Sequence, residues 1–255
     1  MYTHDAPLAT VIDDLRRGRM GVSEYFDAIR SRVNIAEPKI ESLVPEENRW
    51  NRVEAAISEL ETQGTDPPIR PPLYGIPVGV KDIFHVDGLP TRAGSGVPPE
   101  TLAGEESTAV RALREAGGIV LGKTVTAEFA YFDPGPTRNP HDPTHTPGGS
   151  SSGSAAAVAA GLCPFALGTQ TIGSVTRPAA FCGVIGVKPS FGRIPTDGVI
   201  PCTPSVDQVG FFTQDIAGTF IGAALLCKDW RPLPSRCDCP ILGIPEGPYL
   251  QQAND

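Results

Sequence analysis

Residues 147–189, PGGSSSGSAAAVAAGLCPFALGTQTIGSVTRPAAFCGVIGVKP, carry two serine-bearing glycine turns, and every histidine of the chain (His4, His85, His141, His145) precedes them. A serine enzyme built without histidine needs another base. A lysine whose proton is relayed through a second serine is one general solution, and this region supplies the serines. The lysine must be desolvated, because a free one with pKa near 10.4 is neutral only about 0.04% of the time at pH 7. Lys81 follows the apolar run Ile76-Pro77-Val78-Gly79-Val80, where burial would favour the neutral amine. The residues alone leave Lys123 and Lys188 open as well, against the alternative that these make a salt bridge or sit solvated on the surface.

Three chemistries compete for the first turn. A phosphate loop would need the lysine of GxxxxGK[ST], which is absent, and no GxGxxG follows a strand here. Gly149-Ser150-Ser151-Ser152-Gly153 does satisfy G-x-S-x-G, but that nucleophile elbow requires a later histidine, and none follows His145. The remaining alternative is tight packing at a turn before an alanine-rich helix. In the second turn Ser174 follows Gly173, and the neighbouring backbone N–H groups can face a developing oxyanion, where one donor is worth roughly 3 to 4 kcal/mol. Arg177, three residues on, could hold a substrate carboxylate by a two-pronged contact or pair with a nearby acid.

The rest of the chain supplies the framework for these turns. Residues 1–63 form an N-terminal helical arm, with helical patterns over 9–21, over 23–40 after the capping candidate Ser23, and over 47–61. Residues 64–73, GTDPPIRPPL, make a stiff proline-rich connector. From 74 the pattern alternates: a buried strand in LYGIPVGVKDIF, a helix in STAVRALREAGG, a strand in GIVLG, a helix in SGSAAAVAAGL, and strands in PFALG and CGVIGV. A linker over 229–240 and a last strand over 241–245 follow. Such alternation is the mark of an α/β fold. The chain stops at Asp255, where another helix would be expected to pack, so the core over 74–255 reads as incomplete at its C-terminus.

Composition removes several classes of function. The 255 residues are 40% hydrophobic and carry a net charge of −8 with no lysine/arginine cluster, which disfavours nucleic acid as a partner. No stretch nears the roughly 18 apolar residues of a membrane helix, and MYTHDAPLAT has no signal-peptide core, so a cytoplasmic location is expected. The six cysteines lack CxxC spacing and read as free structural thiols. Cys237 and Cys239 without a nearby histidine do not make a zinc site. His141 and His145 are loop residues, since Pro140, Pro143 and Pro147 exclude a helix. No metal and no organic cofactor are expected.

The two turns together, a GGSS turn with its small-residue helix and GT-x-T-x-GS with the tail RPAAFCGVIGVKP, resemble the amidase signature family, and GIPVGVKDIF upstream extends the resemblance over most of the chain. It implies a large mixed β-sheet covered by helices and a triad of Lys81, Ser150 and Ser174. In it Ser174 is the nucleophile, and Ser150, in a cis peptide, bridges it to the lysine. It further implies an oxyanion hole from the backbone of Thr171, Ile172, Gly173 and Ser174, with Ser151 in the same network. The common GTDTGGSIR form is replaced here: Gln170 stands at the usual aspartate, Ile172 at a glycine and Thr176 at the usual arginine. A β-branched Ile172 requires the loop to avoid positive φ there. Glutamyl-tRNA amidotransferase A subunits generally keep the common form. The GTQT…RPA form is similar to malonamidase-like hydrolases of small amides, which implies a short carboxylate-bearing amide or a ureido compound as substrate, met by Gln170 and Arg177. Family members are much longer than this chain. The alternative to an active amidase is therefore an inactive remnant, or a segment that depends on a homo-oligomer or on a complementing C-terminal portion.

Overall fold

The computed structural model describes residues 1–63 and 66–231, together with Gly247. Three helices come first. α1 (Leu8–Arg16) buries Leu8, Val11, Ile12 and Leu15, and α2 (Val22–Ile40) buries Val22, Tyr25, Phe26, Ile29, Val33, Ala36 and Ile40, both at helical spacing. The cap of α2 falls earlier than Ser23: Gly21 occupies the N-cap, and its N–H donates to Glu24 Oε2 at 3.4 Å. α3 (Arg49–Thr62) completes the set. These helices share one buried cluster with the sheet, since Leu8, Phe26 and Val53 belong to the same core as Val80 and Phe165. Within the proline-rich stretch the described structure is a single 3₁₀ turn over Pro67–Ile69.

The sheet follows. β1 (Pro77–Lys81) is buried along its whole length. The chain then crosses through α4 (Thr108–Glu115), whose N-cap Ser107 accepts from Ala109 N, to the parallel strand β2 (Ile119–Thr124). Gly117 makes the turn between them at φ +89°, and a Cβ there would meet Tyr74 Cα at 3.0 Å, so the position needs glycine for both conformation and space. α5 (Ser152–Ala159) has all eight residues buried and leads to β3 (Phe165–Gln170), parallel to β1 on its other side. α6 (Thr176–Cys182) and the short β4 (Ile185–Val187) come next. β5 (Gln208–Thr213) then inserts antiparallel between β3 and β4, and α7 (Ile216–Leu226) closes the described chain. Strand order is β2-β1-β3-β5-β4, a mixed five-stranded sheet with helices packed on it.

The reading of CGVIGV as a strand reduces to three residues, Ile185–Val187. β5 and α7 correspond to no element read from the sequence. Most of the expected linker, the last strand, Cys237 and Cys239 lie outside the described residues. The four described cysteines are free: Cys163 and Cys182 are buried, Cys202 and Cys227 half-buried. Among the described residues no helix is long and apolar enough to cross a membrane, and no group of three or more His, Cys, Asp or Glu could hold a metal ion.

Candidate active site

Parallel strands β1 and β3 end side by side, the usual place for a site in a sheet of this kind. Lys81 is the last residue of β1, and its side chain is fully buried. Its Nζ donates to Ser150 Oγ at 2.9 Å and to Thr169 Oγ1, on β3, at 2.8 Å. Among the described residues no carboxylate pairs with it directly; burial dominates and lowers its pKa from 10.5 to about 7, while nearby Cys202 and Asp207 act in the opposite sense. The other two lysines are placed differently. Lys123 is buried but paired with Asp82 at 2.7 Å, and Lys188 is exposed with Nζ on Pro189 O. Of the three, Lys81 is the one whose amine meets a serine of the glycine turns.

Ser150 precedes α5, and the Gly149–Ser150 peptide bond is cis. The next residue ties the two turns together: Ser151 N donates to Ser174 O at 3.3 Å, Ser151 Oγ donates to Thr169 O at 3.2 Å, and Thr169 N donates to Ser151 Oγ at 3.3 Å. Ser174 is 8% exposed beside this junction, just ahead of α6. No residue from 171 to 174 has positive φ, as the β-branched Ile172 requires, and the Ile172 side chain stands 84% exposed.

Gln170 and Arg177, the two residues expected at the substrate, are both engaged within the loops. Gln170 Oε1 accepts from Val175 N at 2.8 Å, Thr176 N at 2.9 Å and Thr176 Oγ1 at 3.2 Å, while Nε2 donates to Ile172 O at 3.0 Å. Its whole amide braces the second turn and the start of α6. Arg177 meets a carbonyl instead of an acid: Nε and Nη2 both donate to Gly149 O, at 3.0 and 2.7 Å. It still borders a cavity of about 290 Å³ that opens over Gly149, Ser150 and Ser152 and is walled by Tyr131, Phe132 and Phe181. His141 and His145 lie in the preceding loop. His141 Nε2 bonds Cys182 O at 2.9 Å, and the exposed His145 sits 3.1 Å from Asp142.

Two polar residues here escaped the sequence reading. Thr169 carried a usable signal, being, with Gln170, one of two polar residues that end an otherwise apolar strand beside the serine turn. Asp207 carried none. It reaches the second turn because β5 pairs with β3 in a register that sets Gln208 opposite Gln170, and its Oδ1 accepts from Thr171 Oγ1 at 2.5 Å.

Comparison with known proteins fixes the class to which this geometry belongs. The amidase family model matches residues 24–254, and the chain belongs to that family. The A subunit of glutamyl-tRNA(Gln) amidotransferase from Nitratidesulfovibrio vulgaris is 40% identical over 220 residues, which is 84% of this chain and 44% of that protein. Its counterpart from Prochlorococcus marinus is 40% identical over 210 residues, covering 80% of this chain and 43% of its own length. Among solved structures, a chain from a vestigial protein complex bearing on the origins of an s-triazine catabolic enzyme aligns with TM-score 0.81 at 32% identity, covering 92% of this chain and 52% of that one. The native peptide amidase of Stenotrophomonas maltophilia aligns with TM-score 0.77 at 29% identity, over 91% of this chain and 51% of that one. The chain thus spans about half the length of the relatives it matches.

Proposed function

We propose that this chain carries the acyl-transfer machinery of a serine amidase that cleaves the C–N bond of a small amide. The observation that carries this reading is the fully buried Lys81, its amine on Ser150 Oγ at 2.9 Å and its pKa drawn to about 7, so that near neutral pH it is poised to act as a base. Ser174 Oγ attacks the amide carbon and gives its proton to Ser150 Oγ, whose own proton passes to Lys81 Nζ. The tetrahedral oxyanion is met by backbone N–H groups of Thr171, Ile172, Gly173 and Ser174. Collapse breaks the C–N bond, and the amine leaves with the proton returned from Lys81 through Ser150. Water then cleaves the Ser174 ester by the same relay. Ser151, bonded to Ser174 O and to both backbone groups of Thr169, ties the second turn to the first.

For substrate, the cavity bordered by Arg177 supports a compact amide. The two bonds to Gly149 O use Nε and Nη2 of Arg177, and a carboxylate-bearing substrate would be held from the same guanidinium. The departures from the common motif at Gln170, Ile172 and Thr176 favour hydrolysis of a free small molecule over the amidotransferase role borne by the relatives' name. Intact-mass analysis after fluorophosphonate treatment tests the proposal: one adduct is expected on the 255-residue chain and none on Ser174→Ala. Equal labelling of the two would sink it.

A second reading has an observation of its own. β4 ends the described sheet, and the chain spans about half of its relatives, so a complementing C-terminal portion could be required for turnover. A folded chain that takes no adduct, yet does so once such a portion is supplied, would select this reading.

A further inference from the structure

The segment Thr171 to Gly173, which leads to the buried Ser174, has little packing to hold it: Ile172 is 84% exposed, and Thr171 and Gly173 are half-buried. Polar ties hold it instead: Gln170 Nε2 on Ile172 O, Ser151 N on Ser174 O, and one at each end. At the C-terminal end Gln170 Oε1 takes the N–H groups of Val175 and Thr176. At the N-terminal end the tie is Asp207. Oδ1 of Asp207 accepts from Thr171 Oγ1 at 2.5 Å, and Oδ2 accepts from Cys202 N at 2.8 Å and Thr203 N at 2.7 Å. The Asp207 N–H itself donates to Thr203 O at 2.9 Å, which closes the 203–207 turn beneath the carboxylate. The carboxylate is therefore anchored on one side by a backbone turn and grips the second glycine turn on the other. Hydrogen bonds to an ionised acceptor are among the stronger and more directional ones.

We infer that Asp207 is a positioning residue for acyl transfer, fixing through Thr171 the height of the backbone N–H groups that receive the oxyanion. The inference rests on the function proposed above. Displacing reacting groups by about 1 Å can cost on the order of 100-fold in rate, so a brace of this kind acts on the chemical step more than on ground-state binding. Asp207 has a second influence that a purely structural brace would lack. Its charge supports the ammonium form of Lys81, as does Cys202. The other groups facing the lysine, Ser150 and Thr169, are hydroxyls, and the neighbouring Asp82 and Lys123 neutralise each other at 2.7 Å.

The test is the rate of fluorophosphonate labelling at Ser174, resolved into a binding and a bond-forming component, because the phosphonyl oxygen takes the oxyanion's place. Thr171→Val removes the grip and leaves the bonds to Cys202 and Thr203 intact. It should slow bond formation about 10- to 100-fold with little change in binding, while Thr171→Ser recovers at least part of the loss. Asp207→Asn should slow labelling similarly and move the acid-side midpoint of its pH profile to lower pH, since the lysine loses a supporting charge. The double variant should be no slower than the slower single one. Labelling of Thr171→Val at the wild-type rate, or a serine variant as slow as the valine one, would overturn the inference. Should Asp207→Asn fail to fold, the Thr171 pair decides alone. A wild-type chain that takes no label removes the function proposed above and this inference with it, an outcome distinct from a labelled wild type with unaffected variants.

Discussion

Two buried lysines on neighbouring strands show how partners set chemistry. Lys123 faces Asp82 at 2.7 Å, whereas the Lys81 amine donates to the hydroxyls of Ser150 and Thr169. The first is a structural ion pair, and Lys123→Met should destabilise the fold by about 3–5 kcal/mol by leaving Asp82 buried without its counter-charge, as read by chemical denaturation. The second is the base of the function proposed above. Labelling of Ser174 should rise with pH through about 7 as Lys81 loses its proton, and Lys81→Met should abolish the labelling while the chain stays folded. Stability carries the same signature with a defined sign. Between about 7 and 10.5 the unfolded chain binds more protons at this position than the folded one, so wild-type stability gains from Lys81 as pH rises through that window. Below it the full cost of burying the ammonium applies. Melts at pH 7 and pH 9 should show this slope in the wild type and a smaller one in Lys81→Met; equal slopes would mean that the lysine is not desolvated in solution.

At the scale of elements, α5 decides whether the two serine turns meet. It lies wholly inside the molecule, and a Cβ on Gly153 in its first turn would fall 2.3 Å from both Ser42 O and Val125 N. Backbone on two sides cannot give way to a side chain. Gly153→Ala should therefore cost about 2–4 kcal/mol and lower the labelling rate by parting Ser150 from Lys81, whereas Gly96→Ala, with nothing within 4 Å, should leave the urea midpoint in place. The helices and strands up to β3 were legible because each has either helical spacing of apolar residues or a short apolar run between turn residues. β5 and α7 were not. QVGFFT is buried on both faces and so shows no alternation, and IAGTFIGAALL is apolar nearly all round, which hides its helical period.

For the molecule as a whole, the strand order leaves β4 at one edge among the described residues, three residues long and only half-buried, with the exposed Phe181 and Phe191 in the segments around it. An edge with unpaired backbone groups and nearby apolar side chains is a template for further pairing. The isolated chain should associate with rising concentration in sedimentation, and Val187→Lys should weaken that association by placing a charge on the edge. A concentration-independent monomer would show that the edge is already covered. Such self-association can be separated from the proposed chemistry, because Val187 is none of Lys81, Ser150 and Ser174.

The sequence by itself determined the α/β alternation and the family and offered the candidate residues for the chemistry, because glycine turns, small-residue helices and apolar strands are local patterns. It narrowed the base to three lysines without choosing among them on residue type. Tertiary structure sets them apart by burying Lys81 against hydroxyls and Lys123 against a carboxylate, which is why the proposed base is Lys81. It also turned Gln170 inward, set Arg177 on Gly149 O, and delivered Asp207 to Thr171 across a strand register. These are long-range juxtapositions. Desolvation and partner geometry depend on which elements the sheet brings together, and no window of sequence contains both sides of such a contact.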